Sequence, residues 1–289
     1  MLVRAPRHLA LRSWVENIWL CESARSRRER AIPAGAMHLA IRVDGPALRL
    51  YADECDRNGR EVDRAVIGGA HPRYYIKQTA PGRTIGAQLK PGAARALFGV
   101  SAARLAQRHS PLRSFWGRAA ARLQRRLAGA AVPEEQIEIL EEAMLIQLRP
   151  IRALHPQVAR ALEILDVHAN VDAALAETGC SHRHFIALFR DATGLTPKRY
   201  ARIRRFRRVL AMAYGDDDIA WSVLAQAHGY CDQAHLHHDF SEFAGVPPRA
   251  WRRGRDRHPH HLPVRQSNSS KTPGRAGHIL LASSRRSTP

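Results

Sequence analysis

The stretch that decides the fold is Phe189-Arg190-Asp191-Ala192-Thr193-Gly194-Leu195-Thr196-Pro197-Lys198-Arg199-Tyr200. It returns as Phe240-Ser241-Glu242-Phe243-Ala244-Gly245-Val246-Pro247-Pro248-Arg249-Ala250-Trp251, an offset of 51 residues. Phenylalanine, glycine, proline and an aromatic residue keep the same spacing in both copies. Upstream, Gly179 answers Gly229 and Phe185 answers Leu236, with one residue inserted in the second turn. Self-similarity at a fixed offset marks a duplicated structural unit.

Each copy reads as helix, tight turn, helix. In the first, Asn170 is placed to cap a short helix carrying Val171, Ala174 and Leu175. Gly179 supplies the positive φ of a sharp exit, and Ser181 caps a helix with Phe185, Leu188 and Phe189 on one face. In the second, Asp218 is expected to cap a helix with Trp221, Leu224 and Ala225. Gly229 ends that helix, and Asp232 caps one with Leu236, Phe240 and Phe243 inward. Two short helices joined at a glycine turn are the helix-turn-helix signature. Thr196 and Pro197 open a longer helix between the units, with Tyr200, Ile203, Phe206 and Leu210 as its apolar stripe. From Lys198 to Arg208 it holds seven basic residues and no acid.

Outward from this module the pattern changes. Residues 31–92 read as β-rich: Leu39, Ile41 and Val43 alternate to one face, and Ala47–Tyr51 and Thr84–Leu89 repeat the period between turn residues. Short helical segments follow, broken at Gly99, Pro111 and Gly117. Pro133 then opens a helix with Glu134, Glu135 and Glu138 in its first turns and Ile137, Leu140, Met144 and Leu148 as a stripe. That stripe either packs on its own domain or forms a dimer surface. Pro150 stops it. The expected fold class is α+β, with a β-rich sensor-type domain over 1–149 and an all-α double helix-turn-helix domain over 150–253. An aperiodic basic tail over 254–289 is expected to be disordered.

The formal net charge of +20, from 46 basic and 26 acidic residues, suits a polyanionic partner. Charge does not locate the contact, because residues 1–150 hold 25 basic and 14 acidic residues and the remainder is equally basic. Cys21, Cys55, Cys180 and Cys231 form no CxxC pair and read as reduced thiols of a cytoplasmic protein. No apolar run is long enough for a membrane span, and polar Ser13, Glu16 and Asn17 interrupt any signal-peptide core.

The run from His228 through Phe240 to Arg252 resembles the signature of the AraC/XylS family of transcription regulators, over roughly residues 151–253. Pro33–His38, Leu89–Ala94 and Phe115–Gly117 resemble a sensor-type domain found ahead of that module in some members. The resemblance implies a bacterial regulator of the activator kind, with double-stranded DNA as partner and two recognition helices reading adjacent major grooves. It also implies a small-molecule effector at unassigned residues, a homodimer and RNA polymerase as further partners. Outward positions expected at the DNA are Arg183, His184, Ile186, Ala187 and Arg190 on the first recognition helix, and Gln233, Ala234, His237 and His238 on the second. Arg183 suits guanine and Gln233 adenine, whereas His237 and His238 either donate to the DNA or are solvated. Lys198, Arg199 and Arg202 are expected along the phosphates. The sequence departs from the family pattern at Ala174-Leu175, where Leu-Ala is usual, and at Tyr230, where phenylalanine is usual.

No P-loop, GxGxxG, GxSxG or HExxH motif is present, so no enzyme and no cofactor is expected. Cys55 lies among Glu54, Asp56 and Asp63, a setting that disfavours a thiolate nucleophile. An alkylation- or thiol-sensing regulator with a reactive cysteine stands as one alternative, and a non-specific nucleic-acid-binding protein as another. His38 is read as structural, since no second histidine sits at ligand spacing, and His258, His260 and His261 as a solvated tail, so no metal is expected.

Overall fold

A computed structural model of the chain describes residues 1–150, 153–167, 170–216, 218–255 and 260–264. The strands are β1 (Leu2–Arg4), β2 (Val15–Ser23), β3 (Arg27–Ala31), β4 (Met37–Arg42), β5 (Arg49–Tyr51), β6 (Arg60–Glu61), β7 (Ala65–Gly68), β8 (Tyr75–Thr79), β9 (Gly82–Leu89), β10 (His109–Pro111) and β11 (His261–Pro263). They form two antiparallel sheets, in the orders β1-β2-β9-β4-β7-β10 and β11-β3-β8-β5-β6. Along β4 the alternation is clean: Met37, Leu39 and Ile41 are buried, and His38, Ala40 and Arg42 are half-buried on the other face.

The β-rich region therefore begins at Leu2 rather than near residue 31. In β2 the register slips between Val15 and Asn17, so buried Val15, Ile18 and Leu20 do not keep a strict period of two. A bulge of this kind hides a strand from pattern reading. In β3 the buried residues include Glu29 and Arg30, which composition alone assigns to solvent.

The helices are α1 (Leu9–Arg12), α2 (Ala93–Phe98), α3 (Ala102–Leu105), α4 (Arg113–Trp116), α5 (Arg118–Gly129), α6 (Pro133–Gln147), α7 (Pro156–Val167), α8 (Val171–Ala176), α9 (His182–Thr193), α10 (Pro197–Gly215), α11 (Trp221–Ala227), α12 (Gln233–Ala244) and α13 (Pro248–Gly254). The α6 stripe of Ile137, Leu140 and Met144 is fully buried where the helix packs on β2 and β9, which settles it as part of its own domain's core. In the C-terminal module, Phe185, Phe189, Phe206, Phe240, Phe243 and Trp251 are all fully buried. Edge-to-face pairs such as Phe206–Phe240, with ring centroids 4.8 Å apart, set the inter-helix geometry. Among the described residues no helix is long and apolar enough to cross a membrane.

One part of the expected tail is ordered. Residues 261–263 pair antiparallel with β3, and Leu262 is buried. Backbone pairing and one apolar anchor thus tie the chain beyond α13 to the N-terminal sheet. His258 and the tail beyond Val264 lie outside the described residues.

Candidate nucleic-acid interface

Local chemistry builds both helix-turn-helix units. Asn170 Oδ1 accepts from the Ala173 amide at 3.0 Å and Ser181 Oγ from the His184 amide at 3.4 Å. Asp232 Oδ1 accepts from the His235 amide at 2.7 Å, and Thr196 Oγ1 caps α10 through the Arg199 amide at 3.3 Å. Each bond satisfies an orphan donor at a helix start. The turn glycines, Gly179 and Gly229, have φ of 63° and 69° in open space, so backbone conformation and not crowding requires them. The cap expected at Asp218 is not formed. Helix α11 starts later, with Ala220 at the cap position and no side-chain acceptor. In the first unit Ala174 takes the buried position between helices while Leu175 lies at its half-buried edge, so the departure from the usual residue order leaves the close contact to a small side chain.

The recognition faces are accessible. On α9, Arg183, His184, Ala187 and Arg190 are exposed and Ile186 is half-buried. On α12, Gln233, Ala234 and His238 are exposed, and half-buried His237 stands with Nε2 3.2 Å from Gln233 Nε2, one helical turn away. Tyr230, Leu236 and Phe240 face the core as expected.

The N-terminal domain meets both recognition helices at their C-terminal ends. Arg95 makes a bidentate pair with Asp191, at 2.8 and 2.6 Å, and the Gly92 amide donates to the Ala192 carbonyl. Beyond α12, a Cβ on Gly245 would lie 2.5 Å from the Tyr74 ring, so the glycine permits close approach of the two domains. Arg199 donates to the Pro72 carbonyl. The N-terminal halves of α9 and α12 stay clear of these contacts.

The linker helix corrects an expectation. Arg199 and Arg202 are not free to lie along phosphates. Arg199 pairs with Glu242 at 2.6 Å, and Arg202 bridges Asp239 at 2.5 Å and Glu242 at 2.6 Å. Asp239 is 0% exposed and also accepts from the Tyr230 hydroxyl at 2.9 Å. Burial pushes the Glu242 carboxyl up, but hydrogen bonds and charge from Arg199 and Arg202 outweigh it and hold the group below its ordinary value. The run continues inward: Arg204 pairs with Asp166, Arg207 donates to the Ala34 carbonyl, and Arg208 donates to the Asp166 carbonyl. The acids that neutralise this helix come from α7 and α12, far along the chain, so a local charge count could not show them. Of the three phosphate candidates, Lys198 is exposed. The repeat offset pairs it with Arg249, equally exposed in the first turn of α13.

Residues 175–254 match the family model described as a helix-turn-helix domain, and residues 4–111 match one described as a domain of unknown function, DUF6597. Among solved structures, ToxT from Vibrio cholerae is similar at 8% identity and a TM-score of 0.43, over 83% of this chain and 97% of that one. A second structure, of unsaturated fatty acid bound wild-type ToxT from Vibrio cholerae, is 6% identical with a TM-score of 0.41, over 80% and 91%. No curated protein matches the chain. The doubled, capped unit and the domain match define a helix-turn-helix DNA-binding transcription regulator. The doubling of that unit on one linker helix is the arrangement that the resemblance to the AraC/XylS family implies.

Proposed function

We propose that the protein binds duplex DNA sequence-specifically, with α9 and α12 entering two adjacent major grooves, and that residues 1–149 sense an effector or mediate dimerisation and catalyse nothing. The observation that carries the reading is the polarity of the two recognition helices. Both are held by the N-terminal domain near their C-terminal ends, and both leave free the N-terminal half that meets base edges in helix-turn-helix proteins. The 19-residue α10 is about 28 Å long at 1.5 Å per residue, comparable with the roughly 34 Å between successive major grooves on one DNA face. Arg183 reads guanine and Gln233, aligned by His237, reads adenine. Lys198 and Arg249 bind phosphates at equivalent places on the two units.

Binding-site selection from random duplexes with the full chain tests the proposal. Two conserved boxes about one helical turn apart are expected, and enrichment of a single box or of none overturns it. For the first domain, thermal-shift screening with small metabolites should find a stabilising compound. Turnover of a substrate that depends on Cys55 or His38 would contradict the sensing role.

A further inference from the structure

Going beyond DNA recognition, we infer that His38, His71 and His109 form a binding site for a divalent first-row transition metal inside the N-terminal β domain. The three are remote in sequence, and the sheet brings them together. His38 on β4 and His109 on β10 both stand opposite Gly68 of the intervening β7, one from each side. Gly68 is what makes the room, since a Cβ there would lie 2.1 Å from His38 Cε1 and 2.4 Å from its Nε2. His71 follows three residues later. The ring centroids of His71 and His109 are 4.9 Å apart, and those of His38 and His109 are 5.8 Å apart. Two imidazoles on one tetrahedral zinc, with Zn–N near 2.0–2.1 Å, place their centroids about 5 Å apart.

The polar atoms point to an absent partner. Nε2 of His71 and Nε2 of His109 are buried without a hydrogen-bond partner, and His109 is only 7% exposed. Buried imidazole nitrogens are ordinarily satisfied. Burial also holds all three rings below the ordinary histidine range, His38 at about 3, His71 at about 4 and His109 at about 2. They are therefore neutral near pH 7, the form that ligates metals. Tyr75 packs 4.5 Å from His71 and 4.7 Å from His109 and limits how those rings turn. The nearby Lys77 ammonium is met by Glu29 at 3.2 Å, so it does not select an anion for the space. Imidazole ligands suit zinc, nickel, copper and iron.

Among the described residues, the ligand atoms already within 4.8 Å of one another belong instead to His238, Asp239 and Glu242. The carboxylates of that group are taken by Arg199 and Arg202, which disqualifies it. At the histidine site a turn of the rings about χ2 is needed to aim three nitrogens at one ion, and His38, the widest spaced, moves most.

Cobalt(II) is the probe. Full-length protein stripped with a chelator is titrated with CoCl2 and followed by visible absorption, alongside calorimetric titration with ZnCl2. One equivalent should bind with the intense d–d bands of a low-coordinate site. His38→Gln, His71→Gln and His109→Gln should each weaken binding at least tenfold, while His155→Gln, at an exposed position, leaves it unchanged. Near-ultraviolet circular dichroism of each variant checks the fold, and His71→Gln, in a loop, is the variant least able to disturb it. Absence of stoichiometric binding overturns the inference, as does binding that survives all three substitutions. Neither outcome bears on DNA recognition, which is measured separately.

Discussion

The two helix-turn-helix units share spacing, caps and turn glycines, yet they use charge in opposite ways. The first presents Arg183 and Arg190 outward on α9. The second places Asp239 and Glu242 on the inner side of α12, where they hold Arg199 and Arg202 of α10, and shows the solvent neutral Gln233 and Ala234 with His237 and His238. One unit thus leaves its cations exposed, and the other uses its acids to fix itself on the linker. A basic stretch in such a protein is evidence of DNA contact only once its internal partners are known.

The largest expected effect breaks the second unit. Arg202→Ala leaves buried Asp239 with fewer donors and should cost about 2–3 kcal/mol of stability, less than a fully buried pair because Arg202 is partly exposed. Urea unfolding followed by tryptophan fluorescence reads this, since Trp221 and Trp251 lie in the same core. The salt slope of DNA binding should stay unchanged, and a drop of about one unit would show that Arg202 reaches a phosphate after all. The same network gives a pH signature. Glu242 is depressed in the folded state, so its stabilisation is present above the ordinary glutamate value of about 4.3 and is lost as pH falls through the folded value. Acid unfolding of Glu242→Gln should accordingly be less steep.

Next in size is base reading. Arg183→Ala should relax choice at one base pair in one box and Gln233→Ala at one in the other, each by about 1–3 kcal/mol. Binding-site selection with each variant sharpens the contrast between the units, and loss of information at the same bases in both would dissolve it.

Smaller still, Lys198→Ala and Arg249→Ala should each weaken specific and random duplexes alike and flatten the salt slope by about one unit. Unequal slopes would mean that the two units do not sit equivalently on the backbone. The smallest effect is at the domain contact. Arg95→Ala removes a largely exposed pair, worth about 0.2–1 kcal/mol, and should appear chiefly as faster hydrogen exchange in α3 and the end of α9.

What the sequence made legible follows the range of the interactions. Caps at Asn170, Ser181, Thr196 and Asp232, turns at Gly179 and Gly229, and the aromatic stripe of α10 are set within a few residues, and each stands where its neighbours placed it. Interactions between distant segments were not legible. The bulge in β2 broke a period of two, and the charged β3 concealed a strand behind Glu29 and Arg30. The arginines of α10 looked free because Asp166, Asp239 and Glu242 come from other helices. His38 looked solitary because only strand pairing brings His109 beside it, and His109 in turn meets the His71 ring.

The pairing of β11 with β3 gives the chain the topology of a guest domain inserted into a host. The host sheet is finished by residues translated after the whole DNA-binding module, so during synthesis the β3 edge waits, unpaired, for roughly 230 residues to emerge. An open strand edge is a template for pairing with another chain. A chain cut just after α13 would keep both helix-turn-helix units and lose this closing strand, so self-association of the host sheet, rather than loss of the helix-turn-helix fold, is the expected cost of that truncation.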